Sequence, residues 1–502
     1  MQPLTGKQLD WAVISCCSAA FLLFGYDQGV MGGLVSTPEF LKSFNHPTPG
    51  LLGIIVAIYD IGCMIGSLCT MYIGDVLGRR KSIVIGGVLI IIGAALQSSA
   101  FSVAHMIVGR IVTGLGSGMN TTTVPIFQTE MSQSHRRGAA VMGEMAFVIF
   151  GIVVSNWVDF GFVFGGGVQG SAVWRAPLAL QAVFPLVTFA ILPFIPESPR
   201  WLASKGRNDE VREIVARLEG KGYTAESDVV ISHSRLIIEA AQHEAEIEAS
   251  WMDLFRNGEL QNLRRMLLGA IPQFIQQMTG INAVVYFGPA IFSASLGLTP
   301  RMAAIVGGCG SICFWIGSCT PPFFIEKVGR RPIFLVGLIS TALAMTGLTF
   351  SATKVSSGYG ALACILLYQF CFGASWAGVP WVYAPEINSL RMRNRAAAIA
   401  SATEWLSAFI VVVITPVGVA NIGWRFYLIW LVSCGLALPY MYLTCPETKG
   451  ATLEEMDRYF ATQRSWIVIN AKNIKEYNQN YQEDPIQREK QLPSTQEIEV
   501  SG

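Results

Sequence analysis

The sequence predicts an all-α membrane protein with twelve transmembrane helices, arranged as two six-helix bundles joined by a helical loop. Three observations carry this reading. Only 14% of the 502 residues are charged and 52% are hydrophobic, where soluble domains carry about 25% charge. Apolar runs of about 20 residues, each long enough to cross a bilayer as a helix, recur along the chain. Landmarks in the first half return in the second at a near-constant offset.

The runs lie at about 11–34, 51–74, 82–101, 104–125, 138–160, 175–195, 265–294, 301–325, 332–352, 359–385, 396–418 and 424–445. Short loops on one side carry Arg79, Arg80, Lys81, Arg136, Arg137, Lys327, Arg330, Arg331, Arg391, Arg393 and Arg395. Those on the other carry only Lys42, Arg175, Arg301, Lys354 and Arg425. The positive-inside rule puts the first set in the cytoplasm, and with it both termini and the middle loop. The expected domains are a bundle over 1–195, a cytoplasmic linker over 196–264, a second bundle over 265–446 and a largely disordered tail over 447–502. Within the linker, Arg207 to Leu218 and Glu226 to Glu248 have the spacing of short amphipathic, charge-laced helices. One or two amphipathic turns are expected near Leu453, Met456 and Phe460, and the polar tail from about Asn470 is expected to be disordered.

The repeat is explicit. Gly78-Arg79-Arg80 returns as Gly329-Arg330-Arg331, Trp174-Arg175 as Trp424-Arg425, and Pro196-Glu197-Ser198 as Pro446-Glu447-Thr448. Glu130 and Arg137 return as Glu386 and Arg393. Two bundles in the same membrane orientation are the arrangement of transporters that rock about a midplane site.

Other classes find little support. The net charge of +1 offers no basic stripe for nucleic acid. The 11 cysteines fall in apolar segments and make no Cys-x-x-Cys or Cys/His cluster, so they read as small buried hydrophobes rather than metal ligands. No Walker A sequence and no nucleophile–base constellation appears, so neither an ATP-driven pump nor an enzyme is expected, and no cofactor. The first apolar run is as long as a span and reads as a helix rather than a cleavable signal.

The chemistry concentrates in Gln273-Phe-Ile-Gln276-Gln277-Met-Thr-Gly280-Ile-Asn282-Ala-Val-Val-Tyr286. Amides and a phenol at lipid depth are costly unless they face a cavity or a partner helix. Gln276, Gln277 and Asn282 both donate and accept, which suits a neutral ligand with several hydroxyls; helix–helix glue is the competing use. Gly280, Gly288 and Pro289 weaken the helix where a span must bend. Asp27 lies within the first span, where an ionised Asp costs about 2.5–3.5 kcal/mol and needs compensation; Arg110 in the fourth span is its natural partner.

Taken together, the chain from about Phe24 to Gly450 resembles the sugar porter family of the major facilitator superfamily, particularly fungal hexose, pentose and polyol carriers. The resemblance rests on Gly74-Asp75-Val-Leu-Gly78-Arg79-Arg80, Gly109-Arg110-Ile-Val-Thr-Gly114-Leu-Gly116, Pro196-Glu197-Ser198-Pro199-Arg200-Trp201, Gln276-Gln277-Met-Thr-Gly280-Ile-Asn282, Glu326-Lys-Val-Gly329-Arg330-Arg331 and Pro446-Glu447-Thr448-Lys449-Gly450. It implies the major facilitator fold and alternating access, with a monosaccharide or polyol held between the halves. Gln276, Gln277, Asn282 and Tyr286 are then expected at the substrate, with Trp381 stacking on a sugar ring from a span made bendable by Gly373, Gly378 and Pro380. Asp27 and Arg110 become a proton-coupling pair, because an acid released from its cation in a dry site takes up a proton. A static buried ion pair and a lipid- or core-facing Trp381 are the plainer uses of the same residues.

The family's ionic gate implies that Asp75, Arg79, Glu130, Arg137 and Glu197 gather under the first half, and Glu326, Arg330, Glu386, Arg393 and Glu447 under the second. The positive-inside rule alone accounts for the cations but not for the repeated acids. The sequence also departs from its relatives. Glu404 precedes Trp405 where an amide is usual, Met145 stands beside Glu144 in the fifth span, and Phe314 replaces an amide in the eighth. Fewer amides leave room for a pentose, a polyol or a larger glycoside. Glu404 has three open uses: binding hydroxyls, joining a proton path, or pairing with a substrate cation.

The expected function is a plasma-membrane sugar or polyol–proton symporter, working as a monomer within the lipid bilayer. A uniporter is the alternative, against which Asp27 argues. A non-transporting sugar sensor of the same fold is the reading from another class, and about 56 residues after Pro446 make a short signalling tail. A drug exporter fits least, given the completeness of the motifs.

Overall fold

The computed structural model describes all residues except 1–3, 132–136, 247–250, 353–357, 390, 469–472 and 484–502. Its first half holds α1 (Lys7–Leu34), the short α2 (Pro38–Ser43), α3 (Pro49–Leu77), α4 (Arg79–Ser98), α5 (Val103–Met131), α6 (Arg137–Phe164), and the jointed pair α7 (Ala172–Leu180) and α8 (Val183–Ile191). Four loop helices follow: α9 (Pro199–Ser204), α10 (Asn208–Glu219), α11 (Asp228–Glu246) and α12 (Trp251–Leu254). The second half holds α13 (Asn262–Met278), α14 (Ile281–Leu296), α15 (Pro300–Ser318), α16 (Pro321–Val328), α17 (Arg330–Ala352), α18 (Gly358–Gly373), α19 (Val379–Ile387), α20 (Arg393–Ile422) and α21 (Phe426–Thr444). The tail carries α22 (Leu453–Thr462) and α23 (Ile474–Glu483).

These make twelve crossings in two bundles of six. Nine of the crossings lie in eight described stretches that are long and apolar enough to span a membrane, Arg395–Thr444 containing two. The other three are α5, rich in glycine and threonine, and the two interrupted crossings, α13–α14 and α18–α19. Local chemistry sets the starts. Thr48 and Thr299 each cap a helix whose next residue is proline, their hydroxyls accepting from Leu51 N and Met302 N at 3.4 Å. The α13–α14 break falls at Gly280, whose φ of +88° a side chain rarely adopts.

Two helix starts lack such a cap and receive one from far away in sequence. Gly78 and Gly329 precede α4 and α17 at φ +87° and +98° and offer no side chain. The Glu197 carboxylate accepts from Arg79 N at 3.1 Å and Arg80 N at 3.2 Å. In the second half, Glu447 accepts from Arg330 N and Arg331 N, both at 2.9 Å. An anion at a helix N-terminus meets unpaired N–H groups and the positive end of the dipole. A Cβ on Gly329 would lie 2.4 Å from Glu447 Oε2, so glycine is required there twice over. The repeated Gly-Arg-Arg and Pro-Glu-Ser/Thr motifs are two parts of one capping device.

The halves meet along α3–α20, α1–α14 and α6–α15. At the end away from the loop helices this seam is closed by backbone contact. A Cβ on Gly32 would sit 2.8 Å from Val285 O, and one on Gly53 would sit 2.6 Å from Val413 O. Trp157 of α6 packs against Gly308 of α15.

At the opposite end, α9, α10 and α11 bury Leu202, Val211, Val215 and Val230 among themselves. The chain start is tied to them by Gly6 N donating to Arg217 O at 2.7 Å. The four-residue α12, unforeseen in the sequence, belongs to the other half: Leu254 packs with Met266, Met392 and Ala396. Part of the tail also departs from expectation. Residues 473–483 are ordered rather than extended coil, because Ile474 is fully buried and the Tyr477 ring packs edge-on against Tyr459 at 5.2 Å. The rest of the tail expected to be disordered lies outside the described residues. The cysteines are likewise not uniformly buried: Cys69 is exposed on α3, and Cys309, Cys313, Cys319, Cys364 and Cys371 are half-buried.

Candidate functional site

A crevice opens at the seam midway along the bundles. The first half contributes Phe24 and Gln28 of α1 and Met145, Val148, Ile149 and Ile152 of α6. The second half contributes Gln276, Gln277, Ile281, Asn282, Val285, Phe314, Phe372, Ala377, Trp381 and Glu404. One wall is therefore apolar apart from Gln28, and the remaining polar groups come from the other half.

Helical spacing explains the polar wall. Gln273, Gln276 and Gln277 share one face of α13 at i, i+3 and i+4. The turn at Gly280 then ends the helix and lets Asn282 approach from the start of α14. Gln276 Nε2 donates to Ala377 O at 3.3 Å, in the break between α18 and α19. Gln277 Nε2 donates to Glu404 Oε1 of α20. Gln276 Oε1, Gln277 Oε1, Glu404 Oε2 and Asn282 Nδ2 are buried without a protein partner. Buried polar atoms are costly when unpaired, so three acceptors and one amide donor at one crevice suit a ligand rich in hydroxyls. Trp381, half-buried, presents part of its surface to the same space.

Tyr286 departs from its expected place. It is fully buried and does not line the crevice; its phenol donates to Asp60 Oδ1 of α3 at 3.2 Å. The period of α14 explains this, since Tyr286 lies four residues beyond Asn282 and one turn nearer the sealed end. Asp60 was missed in the sequence, although an acid inside the 51–74 run gives the same signal as Asp27.

Asp27 and Arg110 are fully buried neighbours but not a direct ion pair. Asp27 Oδ2 accepts from Ser117 Oγ at 3.0 Å. The guanidinium of Arg110 donates from Nη2 to Val56 O at 2.8 Å and lies 4.6 Å over the Tyr59 ring. Asp27 Oδ1 and Arg110 Nε and Nη1 have no hydrogen-bond partner. Glu144 of α6 is another buried acid whose carboxyl oxygens lack a partner.

The loop-end charges fall into mirrored sets. Arg79 clasps Glu130 through Nε and Nη2, both at 3.1 Å, and reaches the exposed Asp75 at 3.4 Å. Arg330 clasps Glu326 at 2.8 and 3.1 Å and reaches Glu386 at 2.7 Å. Every one of these pairs stays within a single half. Glu197 and Glu447, expected in the gate, act as the helix caps described above. Arg393 starts α20, half-buried, and the side chain of Arg137 lies outside the described residues.

Comparison with known proteins agrees with this architecture. A family profile described as "Sugar (and other) transporter" matches residues 12–460. The MFS-type transporter oryC of Aspergillus oryzae is 39% identical over 479 residues, covering 93% of this chain and 88% of that protein. The sugar transporter STL1 of Saccharomyces cerevisiae is 36% identical over 489 residues, covering 93% and 85%. The proton:xylose symporter XylE, solved with 6-bromo-6-deoxy-D-glucose, superposes with a TM-score of 0.75 at 26% identity, over 90% of this chain and 99% of that one. Profile, relatives and fold converge, and the chain belongs to the sugar porters of the major facilitator superfamily: it is a multi-pass membrane transporter and not an enzyme.

Proposed function

We propose that this chain is a proton-coupled symporter of a monosaccharide or polyol in the plasma membrane, working as a monomer by alternating access. The observation that carries the reading is the crevice between the halves, where Gln276, Gln277, Asn282 and Glu404 present polar atoms without protein partners. Two of its similar proteins are named as a sugar transporter and a proton:xylose symporter, and both ligand classes supply the hydroxyl donors these acceptors call for. Residues 1–195 and 265–446 are the moving bodies, 196–264 the linker, and 447–502 the tail.

With the loop helices and both termini in the cytoplasm, the sealed end is the outer one. Asp27 is the coupling acid, and Arg110, Ser117 and Tyr59 are the groups that set its charge state. One proton moving inward gains about 2.3 kcal/mol per 100 mV of membrane potential. The clusters around Arg79 and Arg330 bias the equilibrium at the cytoplasmic end; exposed pairs are worth about 0–1 kcal/mol each.

The test is uptake of a radiolabelled sugar and polyol panel in transporter-null yeast, with and without a protonophore. Uphill accumulation of one substrate that the protonophore collapses is expected. Equilibration that ignores the protonophore selects the uniporter; binding without uptake selects the sensor.

A further inference from the structure

Two intramembrane acids share one cation. Asp27 of α1, Asp60 of α3 and Arg110 of α5 are each 0% exposed. Asp27 lies seven residues from the end of α1, Asp60 eleven from the start of α3, and Arg110 seven from the start of α5. At about 1.5 Å per residue the three sit at similar depth, roughly 10–17 Å from the sealed end. Tyr286 joins them at the same level, ten residues before the end of α14.

The bond from Tyr286 Oη to Asp60 Oδ1 differs from the hydrogen bonds of Asp27 and Arg110, because α14 belongs to the second half and α3 to the first. It bridges the closed seam. Asp60 Oδ2 has no partner, and two guanidinium nitrogens of Arg110, Nε and Nη1, have none either. The charge is also unbalanced: two carboxylates face one guanidinium in a dry site, and an uncompensated charge there is costly. A single proton on either acid restores balance. The groups facing Asp60 are Cys63 on its own helix, Arg110 of α5, Tyr286 of α14 and Glu404 of α20, while Tyr59 and Ser117 face Asp27.

We propose that Asp60 and Tyr286 form the latch of the outer gate, and that Asp60 is a second acid sharing Arg110 with Asp27, so that closing this gate is linked to the protonation of the pair. The phenol bridges the halves when α1 and α14 close, and opening the gate pulls it away from Asp60. Neither residue contacts the crevice, so both act as positioning residues for the conformational step. The link to protons rests on the symport reading above; the latch itself does not.

The test uses the full chain in intact cells. A cysteine placed at Val35, buried just beyond α1 at the sealed end, is labelled from outside by a membrane-impermeant maleimide, against the parent chain as background. Tyr286→Phe and Asp60→Asn are each expected to raise the labelling rate at least about threefold, and the double variant no further. In the otherwise unchanged chain labelling should differ between pH 5 and pH 8, and Asp60→Asn should flatten that difference. Wild-type labelling rates in both single variants, or additive effects in the double, overturn the latch. A pH difference that survives Asp60→Asn overturns the role of Asp60 as a titrating partner. Labelling needs no substrate, so failure of the symport reading shows separately, as loss of protonophore-sensitive accumulation in the unmutated protein. Counterflow exchange retained in Tyr286→Phe verifies that this variant is folded.

Discussion

Gln277 of α13 donates its amide to the Glu404 carboxylate of α20 in the wall of the crevice. The contact leaves Gln277 Oε1 and Glu404 Oε2 unpaired, both buried. One carboxyl therefore orients an amide and keeps an acceptor for the ligand. Glu404→Ala removes both and strands the Gln277 amide, whereas Glu404→Gln keeps the shape and one acceptor. A lost hydrogen bond to a buried group costs about 1–3 kcal/mol, so Glu404→Ala should raise the transport KM roughly tenfold or more, at 1.4 kcal/mol per decade. Glu404→Gln should raise it less. Gln276→Ala is expected to weaken binding by the same order. Concentration-dependent uptake measures all three, and unchanged KM values would leave these groups as helix packing.

What the sequence disclosed and what it withheld follow from the range of the signals. The crossings, the repeat and the face of α13 that carries Gln276 and Gln277 are local periodicities, and they reappear as helices close to the expected bounds. The contact of Tyr286 with Asp60 joins residues 226 positions apart, and nothing local in the α14 sequence says whether a phenol one turn past Asn282 faces ligand or seam. The motif glutamates show the same limit. Their repetition marks Glu197 and Glu447 as special, but only the folded chain places them on the N-termini of α4 and α17, where no side chain of the preceding glycine can serve. Helix α23 was hidden for a further reason: its composition is polar, and its order comes from Ile474 and Tyr477 docking on α22.

Asp27 is held by a neutral hydroxyl, Ser117 Oγ, rather than by a guanidinium clasp. Asp27→Asn removes the titratable group and preserves the volume and most of that hydrogen bonding. Uphill accumulation should be abolished while sugar-for-sugar exchange persists at a measurable fraction of the wild-type rate. Counterflow in loaded vesicles, beside accumulation in energised cells, separates the two. Accumulation unchanged by the substitution would remove Asp27 from the coupling mechanism.

The capping glutamates predict a stability effect with a matched control. Glu447 serves Arg330 N, Arg331 N and Lys449 N, each at 2.9 Å. Hydrogen bonds to a charged group are worth about 1.5–3 kcal/mol, and the helix dipole adds up to about 1 kcal/mol. Glu447→Ala should lower the apparent Tm of the purified protein by several degrees, and Glu447→Gln by less, because the amide oxygen still accepts. Gly329→Ala should be as damaging as Glu447→Ala, since it needs a strained φ and displaces the same carboxylate. If Gly329→Ala is silent, the capping account is wrong even where Glu447→Ala destabilises.

Acid sensitivity should concentrate at the Arg330 cluster. The hydrogen bonds and charge of Arg330 hold the Glu326 carboxyl below its ordinary value, against a smaller upward push from burial. An acid depressed in the folded state adds stability that is complete above its unfolded value of about 4.3. That stability disappears as pH falls through the folded value. Glu386, on the same guanidinium, is pushed upward by burial against Arg330's pull, so its contribution runs in the opposite sense, growing as pH falls. The difference between wild type and Glu326→Gln therefore isolates the depressed acid: the two Tm curves should be offset above about pH 5 and converge below it. The side chain of Glu326 is 65% exposed, so the offset should be small and should shrink in high salt. Curves that stay parallel down to pH 3 would mean that Arg330 does not hold Glu326 in the folded protein, and that Glu386 is the acid that fixes this guanidinium beneath the second bundle.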